Sequence, residues 1–155
     1  MRLFPSEEAL EKELQELLAH GHHLGLVSLE APLISNLSVL ENISLLRQYH
    51  QRLSRRQAED LTREYLRIFQ MEDLAGKRNP VLDENQRFCV MVLRAVMVDN
   101  PVLVLDRPFK IMPDLADARF IYDVVGKVEG RYRECLILDY LWNEGRYAGG
   151  FSHEA

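Results

Sequence analysis

Cysteine is scarce in this chain, with two in 155 residues, Cys89 and Cys135. Both lie inside apolar runs. They read as small core residues of a reducing compartment, not as a disulfide framework or a metal site. The histidines supply no metal set either. His20, His22 and His23 cluster, but no Cys, Asp or Glu stands beside them at ligand spacing, so they read as a polar connector. No apolar run reaches the roughly 18–20 residues of a membrane span. The opening MRLFPSEEALEKEL has no apolar signal-peptide core. Positive charge is in short supply too. A net charge of −5 disfavours nucleic acid as the main partner. The single basic cluster, Arg52, Arg55 and Arg56, opens a helix and reads as a solvated face. The expectation is a cytoplasmic protein without metal or cofactor. It has no direct membrane insertion and reaches the inner face of the membrane only through a partner.

What is present is an ordinary globular composition, 47% apolar and 28% charged, in one domain large enough to bury a core. Pro5-Ser6 starts a helix, with Ser6 as cap, Glu7 and Glu8 in the first turn, and Leu10, Leu14, Leu17 and Leu18 on one face. Gly21 ends it. Residues 24–29 read as a strand. Residues 31–38 read as a loop with exposed apolar side chains. Helices follow over 39–50 and behind the capping box Ser54–Gln57. A second capping box, Asp83–Gln86, precedes a helix apolar almost all round, which implies burial on most sides. Residues 102–105 form a β-branched apolar run, expected as a strand covered on both faces. Asp114 is expected to cap the next helix and Gly130 to end it. Residues 135–138 read as a strand, 142–147 as a short helix, and the tail from 149 as frayed. Alternating strands and helices argue for an α/β sheet with a helical insertion at 39–78.

From about residue 24 to 148 the chain resembles the ATP-binding domain of ABC transporters. LISNLSVLENI (33–43) is similar to the segment after the Q-loop. MEDLAGKRNPVLDENQ (71–86) is similar to the approach to the signature motif. QRFCVMVLRAVMVDNPVLVLDRP (86–108) resembles the run from signature to Walker B. LADARFIYDVVGKV (115–128) resembles the helix after the D-loop, and LILDYLWNEGRYA (136–148) the switch-histidine strand. Each match is weak alone, and the ordered set is what carries the resemblance.

The positions that the resemblance assigns to ATP chemistry carry other residues. The phosphate-cradling pattern GxxxxGK[ST] does not occur in the sequence. If residues 1–4 stand for the strand before that loop, Pro5-Ser6 takes the loop's place, and Glu7 and Glu8 there repel phosphate. The Q-loop position falls on Leu29, or on Glu30 if the register slips by one. The signature LSGGQ becomes Leu82-Asp83-Glu84-Asn85-Gln86, where two carboxylates oppose a nucleotide held by another subunit. Asp106 keeps the Walker B carboxylate, but the general-base Glu position is Arg107, which stays protonated. The D-loop position is Lys110-Ile111-Met112-Pro113 and the switch-His position is Tyr140. A plainer reading stands beside this one. Asp83 and Gln86 serve as a helix cap, Asp106 ends a strand, and Arg107 pairs with Asp106 or Asp139.

The resemblance therefore implies a reduced P-loop-NTPase-like parallel sheet of three strands, four if residues 1–4 join, with an inserted helical subdomain. Residues 1–38 hold the N-terminal strand, helix and Q-loop-like region, 39–78 the helical subdomain, 79–148 the signature-to-switch region and 149–155 a tail. The N-terminal helix is expected to shield a sheet edge. The implied function is that of a catalytically inactive accessory or regulatory protein. Its partner would be an ABC permease or an active ABC ATPase subunit, with a dimer as one arrangement. Pro32, Leu33, Ile34 and Leu37 would form the contact patch. The alternatives are a nucleotide-responsive subunit completing an ATP site in trans, and an α/β interaction module unrelated to transport.

Overall fold

The computed structural model describes residues 1–21, 23–50 and 52–149. His22 of the histidine cluster and the tail from 150 to 155 lie outside the described residues. Four strands, β1 (Arg2–Phe4), β2 (Leu24–Val27), β3 (Val102–Asp106) and β4 (Glu134–Tyr140), form one parallel sheet in the order β1-β4-β3-β2. Residues 2–4 thus join as a fourth strand, with Leu3 opposite Asp139. Strand alternation sorts the sheet residues onto two faces. Leu26, Val104 and Leu136 share a row on one face, and Val27, Leu105 and Ile137 share a row on the other.

Each face has its own core. Helix α1 (Glu7–His20) lays Leu10 and Leu14 on Val104, Leu136, Leu138 and Tyr140. It therefore covers a sheet face. The expectation that it shields an edge is corrected, because its apolar stripe meets side chains that stand perpendicular to the strands. The opposite face packs against α4 (Glu84–Ala95) and α6 (Arg119–Lys127). Seven residues of α4 are buried, as its all-round apolar sequence requires. Gly25 lets β2 approach α4 closely, since a Cβ there would lie 2.4 Å from the Ala95 carbonyl oxygen. The helical section comprises α2 (Val39–His50), α3 (Arg55–Ile68) and a short 3-10 turn at Glu72–Leu74. Both capping boxes form.

Two local expectations are corrected. The helix expected behind Asp114 starts instead at Arg119. Asp117 accepts a hydrogen bond from the Arg119 backbone N–H at 3.0 Å, and residues before it are drawn into a one-turn helix, α5 (Pro108–Ile111). Leu33 is 4% exposed and belongs to the core, so it does not line an outer contact patch. A short helix, α7 (Glu144–Ala148), follows β4 and buries Tyr147. Among the described residues no helix is long and apolar enough to cross a membrane.

Candidate functional site

In parallel α/β sheets, ligands collect at the carboxyl ends of the strands. Four turns meet there: Pro5-Ser6 after β1, Ser28 to Glu30 after β2, Arg107 after β3, and Tyr140 at the end of β4. Ser6 caps α1 by accepting from the Ala9 N–H at 3.2 Å, so this turn spends its hydroxyl on the helix.

Arg107 occupies the centre. Its backbone is left-handed, with φ of 48°, an uncommon state for a non-glycine residue. Its N–H donates to the Leu138 carbonyl at 2.8 Å, and only 4% of the residue is exposed. The guanidinium makes a two-pronged pair with the preceding Asp106, Nε to Oδ1 at 2.7 Å and Nη2 to Oδ2 at 3.1 Å. Nη1 lies 2.6 Å from Glu11, 3.6 Å from Glu7 and 3.4 Å from the Tyr140 hydroxyl. Burial works against its charge. The hydrogen bonds to Asp106, Tyr140 and Glu11, with the Asp106 charge, outweigh this and hold its pKa above the usual arginine value.

Both oxygens of Asp106 have partners. Ser28 Oγ donates to its Oδ2 at 2.5 Å, and Arg107 takes the rest. Lys110 sits outside this cluster, 3.4 Å from Glu7 and over the Tyr140 ring, which stacks on Trp142. The space left between Leu29, Glu30, Asp106, Arg107 and Lys110 is about 60 Å³. Ligand pockets usually run from about 300 Å³ upward. The Arg107 guanidinium fills the space beside the Asp106 carboxylate, and Glu7 and Glu11 approach it from α1.

The structure brings Leu29, Glu30, Asp106, Arg107 and Tyr140 to one place. It does not bring Asp83, Glu84, Asn85 and Gln86 there. Asp83 and Gln86 bond each other's backbone N–H groups at 2.7 and 3.0 Å, and the segment borders a separate open depression with Arg87 and Asp114. Asp139 takes no part in the Arg107 cluster, contrary to one sequence alternative. It accepts from the Tyr147 hydroxyl at 2.5 Å, Asn143 Nδ2 at 2.9 Å and the Tyr140 N–H at 2.8 Å.

A second surface lies beside the 31–38 loop. An open groove of about 270 Å³ is lined by Ile34, Asn42, Leu45, Leu46, Tyr49 and Arg94. Ile34 is 48% exposed, Pro32 is exposed and Leu37 half-buried. Asn42 knits the loop, accepting from the Ile34 N–H at 2.8 Å and donating to the Ile34 and Ser38 carbonyls at 3.0 Å each. Arg94 donates to the Pro32 carbonyl at 2.8 Å and to that of Ala31. Sequence reading found Ile34 but missed Asn42, Leu45, Leu46, Tyr49 and Arg94. The i, i+4 pair Leu45 and Tyr49 was the one local signal of this surface.

The solved structures decide the architecture. A dimeric bacterial ABC transporter cassette matches with a TM-score of 0.59 at 22% identity, over 86% of this chain and 58% of its own. The ATP-binding subunit of an ABC transporter matches with a TM-score of 0.63 at 17% identity, over 94% of this chain and 70% of its own. The fold is that of an ABC-transporter ATP-binding cassette. In sequence, the cassette-like chain is similar to the sulfate/thiosulfate import ATP-binding protein CysA of Nitrosomonas europaea, 28% identical over 110 residues. That match spans 69% of this chain and only 29% of the relative. No family model matches. On the cassette fold, the Arg107 cluster stands at the sheet end where the sequence resemblance puts Walker B and the switch residue.

Proposed function

We propose that this chain is a catalytically inactive, ABC-ATPase-like accessory or regulatory protein that acts by binding an ABC permease or an active ABC ATPase subunit. The observation that carries the proposal is the Arg107 cluster, a buried cation clasped by Asp106 and Glu11 with about 60 Å³ left beside it. Arginine cannot serve as a general base, and Asp106 has no free oxygen for Mg²⁺. The groove beside the 31–38 loop supports the binding half of the reading. It is apolar, open, and set on a loop made rigid by Asn42 and Arg94. Pro32 and Ile34, with Leu37 beside them, supply the outer contacts. In this reading the protein is cytoplasmic and peripheral to the membrane through its partner. Asp83 and Glu84 disfavour completing an ATP site in trans, because both oppose phosphate.

The test is affinity capture of tagged protein from detergent-solubilised membranes of its own cell, with mass spectrometry. The expected result is an ABC permease or ATPase subunit that is lost with Ile34→Asp. A protein that brings down neither would overturn the reading.

A further inference from the structure

Strand β1 and helix α1 are held differently from the rest of the molecule. Helix α1 crosses the sheet from one edge strand, β1, to the other, β2, yet of its 14 residues only Leu10 and Leu14 are buried. Helix α4 buries seven of its 12. β1 is a three-residue edge strand with no buried residue, and among the described residues it pairs with β4 alone. Where apolar anchoring is thin, charge supplies the attachment. Arg2 of β1 pairs with Glu13 of α1, which ties strand and helix to each other. Glu11 and Glu7 then reach across to the sheet end, 2.6 and 3.6 Å from Arg107 Nη1, and Glu7 lies 3.4 Å from Lys110 Nζ. The Glu7 and Glu11 side chains are 67% and 37% exposed, so water and salt screen these contacts.

We infer that β1 and α1 form a cover, latched by charge, that opens as one unit and uncovers the apolar sheet face of Val104, Leu136, Leu138 and Tyr140. Segments with few buried apolar contacts open at the low end of a protein's range of local stabilities. Opening breaks the Glu7 and Glu11 contacts but strands no charge. Both carboxylates pass into water, and Arg107 keeps its two-pronged pair with Asp106 at 2.7 and 3.1 Å. Leu10 and Leu14 set the resistance to opening, and the two carboxylates set its response to salt. The opposite face, closed by α4 and α6, stays packed throughout.

Hydrogen exchange of the full chain, read by mass spectrometry at about 0.05 M and about 1 M NaCl, tests this. Amides of β1 and α1 should share one protection level and exchange well ahead of those of α4. Raising the salt should speed them about 5-fold and leave α4 within about 2-fold. The double variant Glu7→Gln, Glu11→Gln should exchange at low salt as fast as the parent does at high salt, and lose the salt response. Unchanged protection of α4 in that variant verifies that the fold persists. Exchange of α1 together with α4 would mean that no separate cover exists. Exchange of α1 with β1 still protected would mean that the two do not move as a unit. A salt response retained in the double variant would remove the charged latch. Each of these three results overturns the proposal.

Discussion

Arg107 combines a left-handed backbone with a side chain 5% exposed and a charge shared by Asp106 and Glu11. Removing one partner from a buried pair leaves the other uncompensated, which usually costs more than the pair contributes. Arg107→Met should destabilise the fold by about 3 kcal/mol, because Asp106 is 2% exposed and would keep only Ser28. Glu11→Gln should cost less than about 1 kcal/mol, since the Glu11 side chain is 37% exposed and screened by water. Urea midpoints with unchanged m-values would check both; equal losses would mean that the pair does not act as described. The cysteines make a second prediction. Burial pushes the Cys89 thiol from 9.0 up to about 12, and Cys135 up to about 11. Between these values the unfolded chain has lost thiol protons that the folded chain keeps, so stability falls as pH rises above about 9. Urea unfolding at about pH 8 and 10 should show a smaller drop in Cys89→Ala than in the parent. An identical drop would remove Cys89 as a cause.

At the scale of elements, two glycines should respond in opposite directions. A methyl group on Gly126 in α6 would meet nothing within 4 Å, so Gly126→Ala should stabilise by about 0.5 kcal/mol through backbone entropy. Gly25 in β2 faces the Ala95 carbonyl, and Gly25→Ala should cost about 1–3 kcal/mol by forcing β2 from α4. Thermal melts of the two variants would settle the signs. Most elements were legible in the sequence because their signals are local. Caps at Ser6, Ser54 and Asp83 and the apolar runs of β3 and β4 each declare themselves within a few residues. The Asp114 cap failed: α6 starts at Arg119 behind Ala118 with no side-chain cap, while Asp117 binds the Arg119 N–H and guanidinium instead. Pairing of β1 with β4 joins residues more than a hundred positions apart, which no local pattern encodes.

At the scale of the whole molecule, strand order β1-β4-β3-β2 gathers Ser28, Asp106, Arg107 and Tyr140 at one sheet end, with Glu7 and Glu11 reaching in from α1. Sequence pattern identified Leu29, Asp106, Arg107 and Tyr140 as site positions. Glu11 went unnoticed because its helix position gives no sign of reaching a strand end. The groove residues of α2 and α4 were missed for the same reason, since Arg94 sits in a helix otherwise read as core. The proposed silence toward nucleotide rests on this long-range assembly. Its most direct test is calorimetric titration of the full chain with Mg-ATP, carried to about millimolar concentration. The expected result is no saturable heat and no rise in Tm, for the parent and for Asp106→Asn alike. Saturable, magnesium-dependent binding that Asp106→Asn abolishes would contradict the proposal and return the site to nucleotide chemistry.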